Sequence, residues 1–353
     1  MFFLPVRMRS RSIGYLKTAL ILVGLVSVLL PLSLILTSRI RPDPSTDTMQ
    51  RMFVEATRLK KLLSVAETDS RQHDNHRAIR YRNRREFCAA NGNKIITPDI
   101  FRHIIVNDKY KILYCSVPKV ACTNWRRVML LLTGKMNTTD PMKLKASDVH
   151  GAYDDYLTYL SDLSIEDIKY RLKNYYKFVF TREPFERILS AYRNKFKGKN
   201  PFFHKRYGKN IVRKYRANSW NTKPDGKDVS FSEYVHYLTD YTRREPLNEH
   251  WEKMTELCHP CLINYDLVSS YDDLEADSVR LLDKIGASKL FQFPKRSASY
   301  KHAGTEELLR QYYSQIPPVL LDQLMEVYYP DFLMFRYKVP NSLRNLTHWQ
   351  VKL

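Results

Sequence analysis

Residues 18–36 (TALILVGLVSVLLPLSLIL) form a run of 19 without a charge. A helix needs about 17–25 such residues to cross a bilayer core. A cleavable leader has a shorter apolar region closed by a small-x-small site. This run ends instead at Thr37-Ser38-Arg39, so a signal-anchor helix is expected. Arg7, Arg9, Arg11 and Lys17 precede it, while Arg39 and Arg41 follow and are soon joined by Asp43 and Asp47. The bias of cations before the span orients the N-terminus to the cytosol. The chain then divides into a cytoplasmic tail (1–17), the span (18–36), a lumenal stem (37–95) and a lumenal body (96–353).

That topology restricts what the charge can mean. The chain carries 58 Lys+Arg against 37 Asp+Glu, a formal net charge of +21. Such an excess predicts a polyanionic partner. Nucleic acid is mostly absent from a lumen, which leaves an acidic membrane surface or an acidic polymer. Hydrophobic residues make up 44% of the chain, enough for a folded core and too many for a disordered one. Two glycosylation sequons, at Asn137 and Asn345, fit the compartment. The stem is polar, opens on Pro42 and Pro44, holds a helical patch near 49–65 and ends in a basic run at 77–85. It lacks the apolar area to fold alone.

There are five cysteines: Cys88, Cys115, Cys122, Cys258 and Cys261. An odd count leaves at least one thiol free or paired between chains if the others bond. Cys258-His259-Pro260-Cys261 has the spacing of a redox dithiol. The thioredoxin-like surroundings of that motif are absent, so a local structural disulfide or two unrelated thiols is expected.

From about residue 95, strand and helix patterns alternate. Residues 110–117 (YKILYCSV), 177–180 (KFVF) and 262–268 (LINYDLV) read as strands. Residues 124–132, 164–176, 184–196 and 272–285 read as helices. Ser164 is placed to cap the second, Pro184 to open the third and Gly286 to close the fourth. The alternation argues for an α/β fold around a mainly parallel sheet flanked by helices. In such sheets ligands bind beyond the carboxyl ends of the strands.

Two segments run from a strand into a helix. The first is Pro118-Lys119-Val120-Ala121-Cys122-Thr123-Asn124, whose backbone N–H groups, with Lys119 and the Thr123 hydroxyl, suit an anion. It has the layout of a phosphate loop without its glycines, since none occurs from Tyr114 to Thr133. The second is Arg182-Glu183-Pro184-Phe185-Glu186-Arg187-Ile188-Leu189-Ser190, where Arg182 at the strand end could fork onto a phosphate. Glu183 and Glu186 could instead pair with its own arginines.

Together the segments resemble the sulfotransferases that use 3′-phosphoadenosine-5′-phosphosulfate (PAPS). Within them, the chain is similar to the Golgi family that sulfates the 4-hydroxyl of N-acetylgalactosamine in chondroitin and dermatan. The resemblance covers residues 98–343 and rests on six blocks in order: YCSVPKVACTNWRRVMLLLTG, FTREPFERILSAYRNKF, FHKRYGKNIVRKYR, EPLNEHW, LCHPCLINYDLV and DFLMFRYKVPNSL. It implies a PAPS-dependent sulfotransferase domain over 96–353, lumenal in a single-pass type II Golgi membrane protein. It also implies that residues 118–124 hold the 5′-phosphosulfate and 182–190 the 3′-phosphate, with Arg182 and Ser190 as the main contacts.

Sulfuryl transfer builds negative charge on the oxygen leaving with the nucleotide, and Lys119 would stabilise it. The acceptor hydroxyl needs a base. His150 matches a histidine followed by glycine in related hexuronic 2-O-sulfotransferases; His250 is a second candidate and Glu249 a third. The reaction demands no metal, and the chain holds no D-x-D. Residues 193–216 carry ten Lys/Arg and no acid, with His204, Tyr207 and Tyr215 interleaved. An acidic glycosaminoglycan would bind such a tract by counter-ion release, as nucleic acid does, and Lys205, Arg206, Arg213 and Lys214 are its expected contacts. EPLNEHW and LCHPC favour a chondroitin acceptor; residues 211–217 and 271–277 lean toward dermatan, with sulfation next to iduronic acid. Terminal N-acetylgalactosamine of glycoproteins is a further alternative. Thr181 stands where relatives carry valine. A glycosyltransferase lacks its D-x-D, a P-loop kinase lacks its glycines, and a purely polyanion-binding module leaves both strand-to-helix loops unexplained.

Overall fold

The computed structural model describes residues 87–89, 97–217, 223–295 and 303–346. The expected tail, span and nearly all of the stem, with its helical patch and basic run, lie outside the described residues. Among the described residues no helix is long and apolar enough to cross a membrane.

Five strands form one sheet: β1 (Ile104–Asn107), β2 (Ile112–Cys115), β3 (Thr158–Tyr159), β4 (Tyr176–Thr181) and β5 (Leu267–Ser270), in the order β3-β1-β2-β4-β5. The β2–β4 and β4–β5 pairs are parallel; β1 runs antiparallel to both of its neighbours. β1, β2 and nearly all of β4 are buried and read as continuous apolar runs, the pattern of strands covered on both faces. β2 and β4 pair from Ile112↔Tyr176 to Cys115↔Val179, so both chains leave the sheet side by side.

The helices are α1 (Cys122–Leu132), α2 (Ala146–Val149), α3 (Ile165–Asn174), α4 (Pro184–Tyr192), α5 (Pro201–Phe203), α6 (Lys209–Tyr215), α7 (Phe231–Thr239), α8 (Met254–Cys258), α9 (Leu274–Lys284), α10 (Ala303–Tyr313) and α11 (Pro318–Phe335). Ser164 caps α3 by accepting from the Asp167 N–H, and Pro184 occupies the first turn of α4. Gly286, at φ 72°, closes α9 in the left-handed region that only glycine enters without cost. The segment expected as a strand over 262–268 is one only from Leu267. Before it, the N–H groups of Leu262 and Ile263 both turn back to His259 O and are lost to the ladder.

Two apolar clusters hold these layers. One surrounds the sheet, where Trp125 of α1 is fully buried against Phe178, Phe180, Tyr114 and Phe293 at ring distances of 4.7–5.6 Å. The other joins α4, α7, α10 and α11 around Trp251 and Tyr192. Aromatic pairs of this geometry add about 0.5–1.5 kcal/mol each beyond area burial. The acid-free basic tract is an ordered helical arm: α4 passes into a π-helical turn at Arg193–Lys197, and a second at His204–Gly208 leads into α6.

The four disulfide cysteines pair at long range. Cys115, the last residue of β2, bonds Cys258, and Cys88 bonds Cys261. Cys258 and Cys261 are therefore neither a redox pair nor a local ring, and Cys122 is the free thiol.

Candidate functional site

A cleft of ≈ 1220 Å³ opens where β2 and β4 end. The expected loop leaves β2 at Ser116 and reaches α1 without a glycine. It turns by placing Lys119 at φ 71° and Ala121 at φ 54°, both left-handed. A non-glycine residue pays roughly 1–2 kcal/mol for that conformation. The buried side chain of Val120, between them, anchors the turn in the core. Ala121 offers α1 no side-chain cap; the Asn124 N–H returns to Ala121 O, and those of Cys122 and Thr123 are left for a ligand at the start of this 11-residue helix, where the dipole favours an anion.

The lining brings together residues far apart in sequence. Pro118, Lys119, Ala121, Cys122 and Thr123 come from the loop, Arg182 and Ser190 from β4–α4, and Lys195 and Arg206 from the arm. His150, Glu249 and His250 face the same space. Arg182 is 6% exposed, yet its guanidinium is fixed from several sides. Nε donates to Glu186 Oε2 at 3.2 Å, Nη1 donates to Lys119 O at 3.3 Å, and the group lies 4.6 Å from the Tyr271 ring centre. It thereby ties the two loops together.

Other expected contacts sit elsewhere. Helical spacing turns Phe185, Ile188 and Leu189 into the core, and Pro184 is buried with them. Glu183 caps α4 by accepting from Glu186 N at 2.7 Å. Burial raises its pKa to about 8. Glu186 is spent on Arg182. Asn124 faces away from the cleft and accepts from Arg127 Nη1 at 2.9 Å. Arg187 is 1% exposed and contacts no cleft space; it donates to Pro118 O at 3.0 Å, Glu249 O at 2.9 Å and Glu252 O at 2.5 Å. Its role is to fasten the loop to the 249–252 segment. Lys205 and Arg213 are exposed and line neither this cleft nor a neighbouring cavity that Lys214 lines. The arm's own lack of acids is made good by others: Glu245 pairs with Arg206, Asp240 with Lys214, and Asp228 and Glu233 with Arg216.

The electrostatics of the lining favour anions. Burial, above all, pushes the Lys119 ammonium down to about 8, and the cations Lys195, Arg182 and Arg187 add to the shift. His150 Nε2 lies 2.9 Å from Thr123 Oγ1, at the rim. Desolvation, then Arg126 and Lys195, lower its pKa to about 4 although its outer face is open to solvent. His250 Nδ1 lies 2.7 Å from Asn248 Oδ1, and burial, followed by Lys195 and Lys119, lowers its pKa to about 2. Both rings are neutral at pH 7.

A third histidine, His103, was not singled out by its sequence, because it stands in a turn before β1 with no motif around it. Its Nδ1 lies 3.7 Å from Glu249 Oε2, while His250 Nδ1 lies 3.7 Å from Glu249 Oε1. One carboxylate thus sits between two imidazoles. Burial raises the Glu249 pKa and lowers that of His103 to about 4. His103 Nε2 is buried without a hydrogen-bond partner. Arg102, Arg126 and Tyr159 also line the cleft, unflagged for the same reason.

Residues 102–338 match the Sulfotransferase family. Carbohydrate sulfotransferase 11 of Mus musculus is 45% identical over 266 residues, 73% of this chain and 74% of that protein. Carbohydrate sulfotransferase 14 of Homo sapiens is 45% identical over 242 residues, 69% of this chain and 62% of that protein. Carbohydrate sulfotransferase 9 of Homo sapiens is 39% identical over 240 residues, 67% of this chain and 53% of that protein. No solved structure matches the chain significantly. The strand-to-helix loops, the cationic cleft between them and these relatives carry one conclusion: the chain belongs to the Sulfotransferase family and is a carbohydrate sulfotransferase.

Proposed function

We propose that the protein transfers the sulfuryl group of PAPS to the 4-hydroxyl of N-acetylgalactosamine in chondroitin. The observation that carries this reading is the pairing of Lys119 and Arg182 at the carboxyl ends of adjacent parallel strands, beside an uncapped helix N-terminus. The residues suit the donor: two cations and free backbone N–H groups answer two phosphate-bearing ends. In the transfer, the sugar oxygen forms its bond to sulfur as the bond from sulfur to the nucleotide oxygen breaks, and that oxygen keeps the electron pair. Lys119 would stabilise the growing charge. The hydroxyl proton passes to a neutral imidazole, His150 first and His250 second, with Glu249 as a carboxylate alternative. Arg206 and Lys214 on the arm would hold the acidic polymer.

Incubation with labelled PAPS and either desulfated chondroitin or dermatan, followed by disaccharide analysis, tests the reading. Label at the 4-position beside glucuronic acid is expected. Label beside iduronic acid would favour the dermatan alternative, label only on terminal N-acetylgalactosamine of a glycoprotein would favour the third, and label on neither polymer would refute the first two.

The same reading places the enzyme in the Golgi membrane as a single-pass type II protein. Its support is the uncharged run at 18–36, two disulfides of the kind oxidising compartments form, and exposed sequon residues Asn137 and Asn345.

A further inference from the structure

We propose that a second cavity beside the arm is an outer subsite for an anion-bearing sugar of the acceptor chain. The inference rests on the polymeric acceptor proposed above and adds where the chain goes beyond the reacting sugar. The cavity holds ≈ 300 Å³ and shares Arg206, Tyr207 and Glu245 with the main cleft, so the two adjoin. Arg206, Asn210 and Lys214 follow one another along its wall. Lys214 stands eight positions after Arg206 along helical backbone, roughly 12 Å at the usual rise. A ligand that fills both cavities is therefore longer than one sugar.

Three tyrosines in the wall each carry a cation. Arg206 lies 5.2 Å from the Tyr207 ring centre, Lys214 5.5 Å from that of Tyr215 and Arg243 5.4 Å from that of Tyr237. Flat rings beside fixed positive charge suit a sugar, which offers apolar C–H faces and a carboxylate or sulfate. The charges are held in place rather than neutralised as a set. Arg243 is anchored by the carbonyls of Glu245 and Tyr237, each at 2.9 Å. Arg244, next to it, is exposed and forms no ion pair with a carboxylate among the described residues. The lining contains Arg206, Lys214, Arg243 and Arg244 against the single acid Glu245, while Asp240, outside the lining, pairs with Lys214.

Glu245 stands at the junction, 2.8 Å from Arg206. An anion arriving from the polymer competes with that carboxylate for Arg206; a neutral chain gains no ionic contact there. The subsite thus selects for acidic polymer over neutral glycan and for long acceptors over short ones.

The experiment compares transfer to a desulfated chondroitin disaccharide with transfer to the polymer, alongside direct polymer binding at low salt. Arg244→Glu raises KM for the polymer about fivefold, the scale of exposed ionic contacts, and leaves KM for the disaccharide within about twofold. Glu245→Gln changes the polymer KM in the opposite direction. Unchanged melting temperatures show that both variants fold. Equal effects at both chain lengths, or none, overturn the subsite. If no galactosaminoglycan accepts sulfate but Arg244→Glu still weakens polymer binding, the proposed reaction fails and the subsite stands. If the polymer binds wild type and Arg244→Glu alike, the subsite fails whatever the reaction.

Discussion

Lys119 shows how a single residue combines strain, burial and charge. Its left-handed backbone aims it into a desolvated corner already crowded with Arg182, Arg187 and Lys195, and its ammonium titrates near 8. Because that value lies below the free one, the charge is present below about pH 8 and is lost above it. Turnover at low donor concentration should therefore decline as pH rises through about 8, and Lys119→Arg, charged throughout, should flatten the decline even if it slows the reaction. A profile level to pH 10 would contradict the assignment. Lys119→Ala and Arg182→Ala should each abolish transfer in protein whose circular dichroism still shows a folded chain; near-normal activity in either folded variant would remove that residue from the site. On the acid side, a neutral His150 gains its proton only near pH 4. If it is the base, activity persists below pH 6 and His150→Ala removes it. An acid limb at the ordinary imidazole value of about 6.5 would point to another group.

At the scale of elements, Arg187 fastens the loop that leads into α1 to the segment that presents Glu249 and His250. Its fork spans three carbonyls in the core. Arg187→Lys offers one ammonium in place of that fork and leaves acceptors unpaired, so denaturant unfolding should show a loss of about 3 kcal/mol or more. A loss below about 0.5 kcal/mol would mean the loop needs no such tie. Strands β2 and β4 and helices α1, α3 and α4 were legible because apolar runs, a capping serine and a first-turn proline are local signals. The pairing of Lys119 with Arg182 was reachable for the same reason, as both stand at predicted strand ends. The inward turn of Phe185, Ile188 and Leu189 follows from helical spacing, but Arg187 among them reads as a surface cation until the carbonyls around it are known. His103 and Arg126 carry no motif and meet the cleft only through tertiary packing. The strand expected over 262–268 was shortened by a turn at His259 O, beside two cysteines whose partners are distant in sequence and carry no local signal.

For the whole molecule, charge and covalent connectivity set the behaviour. Part of the +21 excess lies in residues 1–17 and in the basic run at 77–85; in the body it gathers at a cleft and in an arm whose cations are partly paired with Asp228, Glu233, Asp240 and Glu245. Acceptor KM should rise with ionic strength, though less steeply than ten free cations would require; a salt-independent KM would exclude the arm from binding. Both sequon residues are exposed, at 137 after α1 and at 345 near the end of the described chain. Removal of N-glycans from protein made in a secretory cell should therefore lower its apparent mass, and no shift would argue against a lumenal body. The Cys115–Cys258 bond closes a separation of 143 residues. Replacing Cys258 by serine should cost about 2–5 kcal/mol of stability by the chain-entropy account, read as a lower melting temperature. The Cys88–Cys261 bond has a mechanical consequence of its own. Tension arriving along the chain from upstream of Cys88 passes across the sulfur bridge into the turn at Cys261. It bypasses the backbone that leads to β1, so a pull on the leading end loads a covalent strut instead of unzipping the hydrogen bonds of the β1–β3 edge.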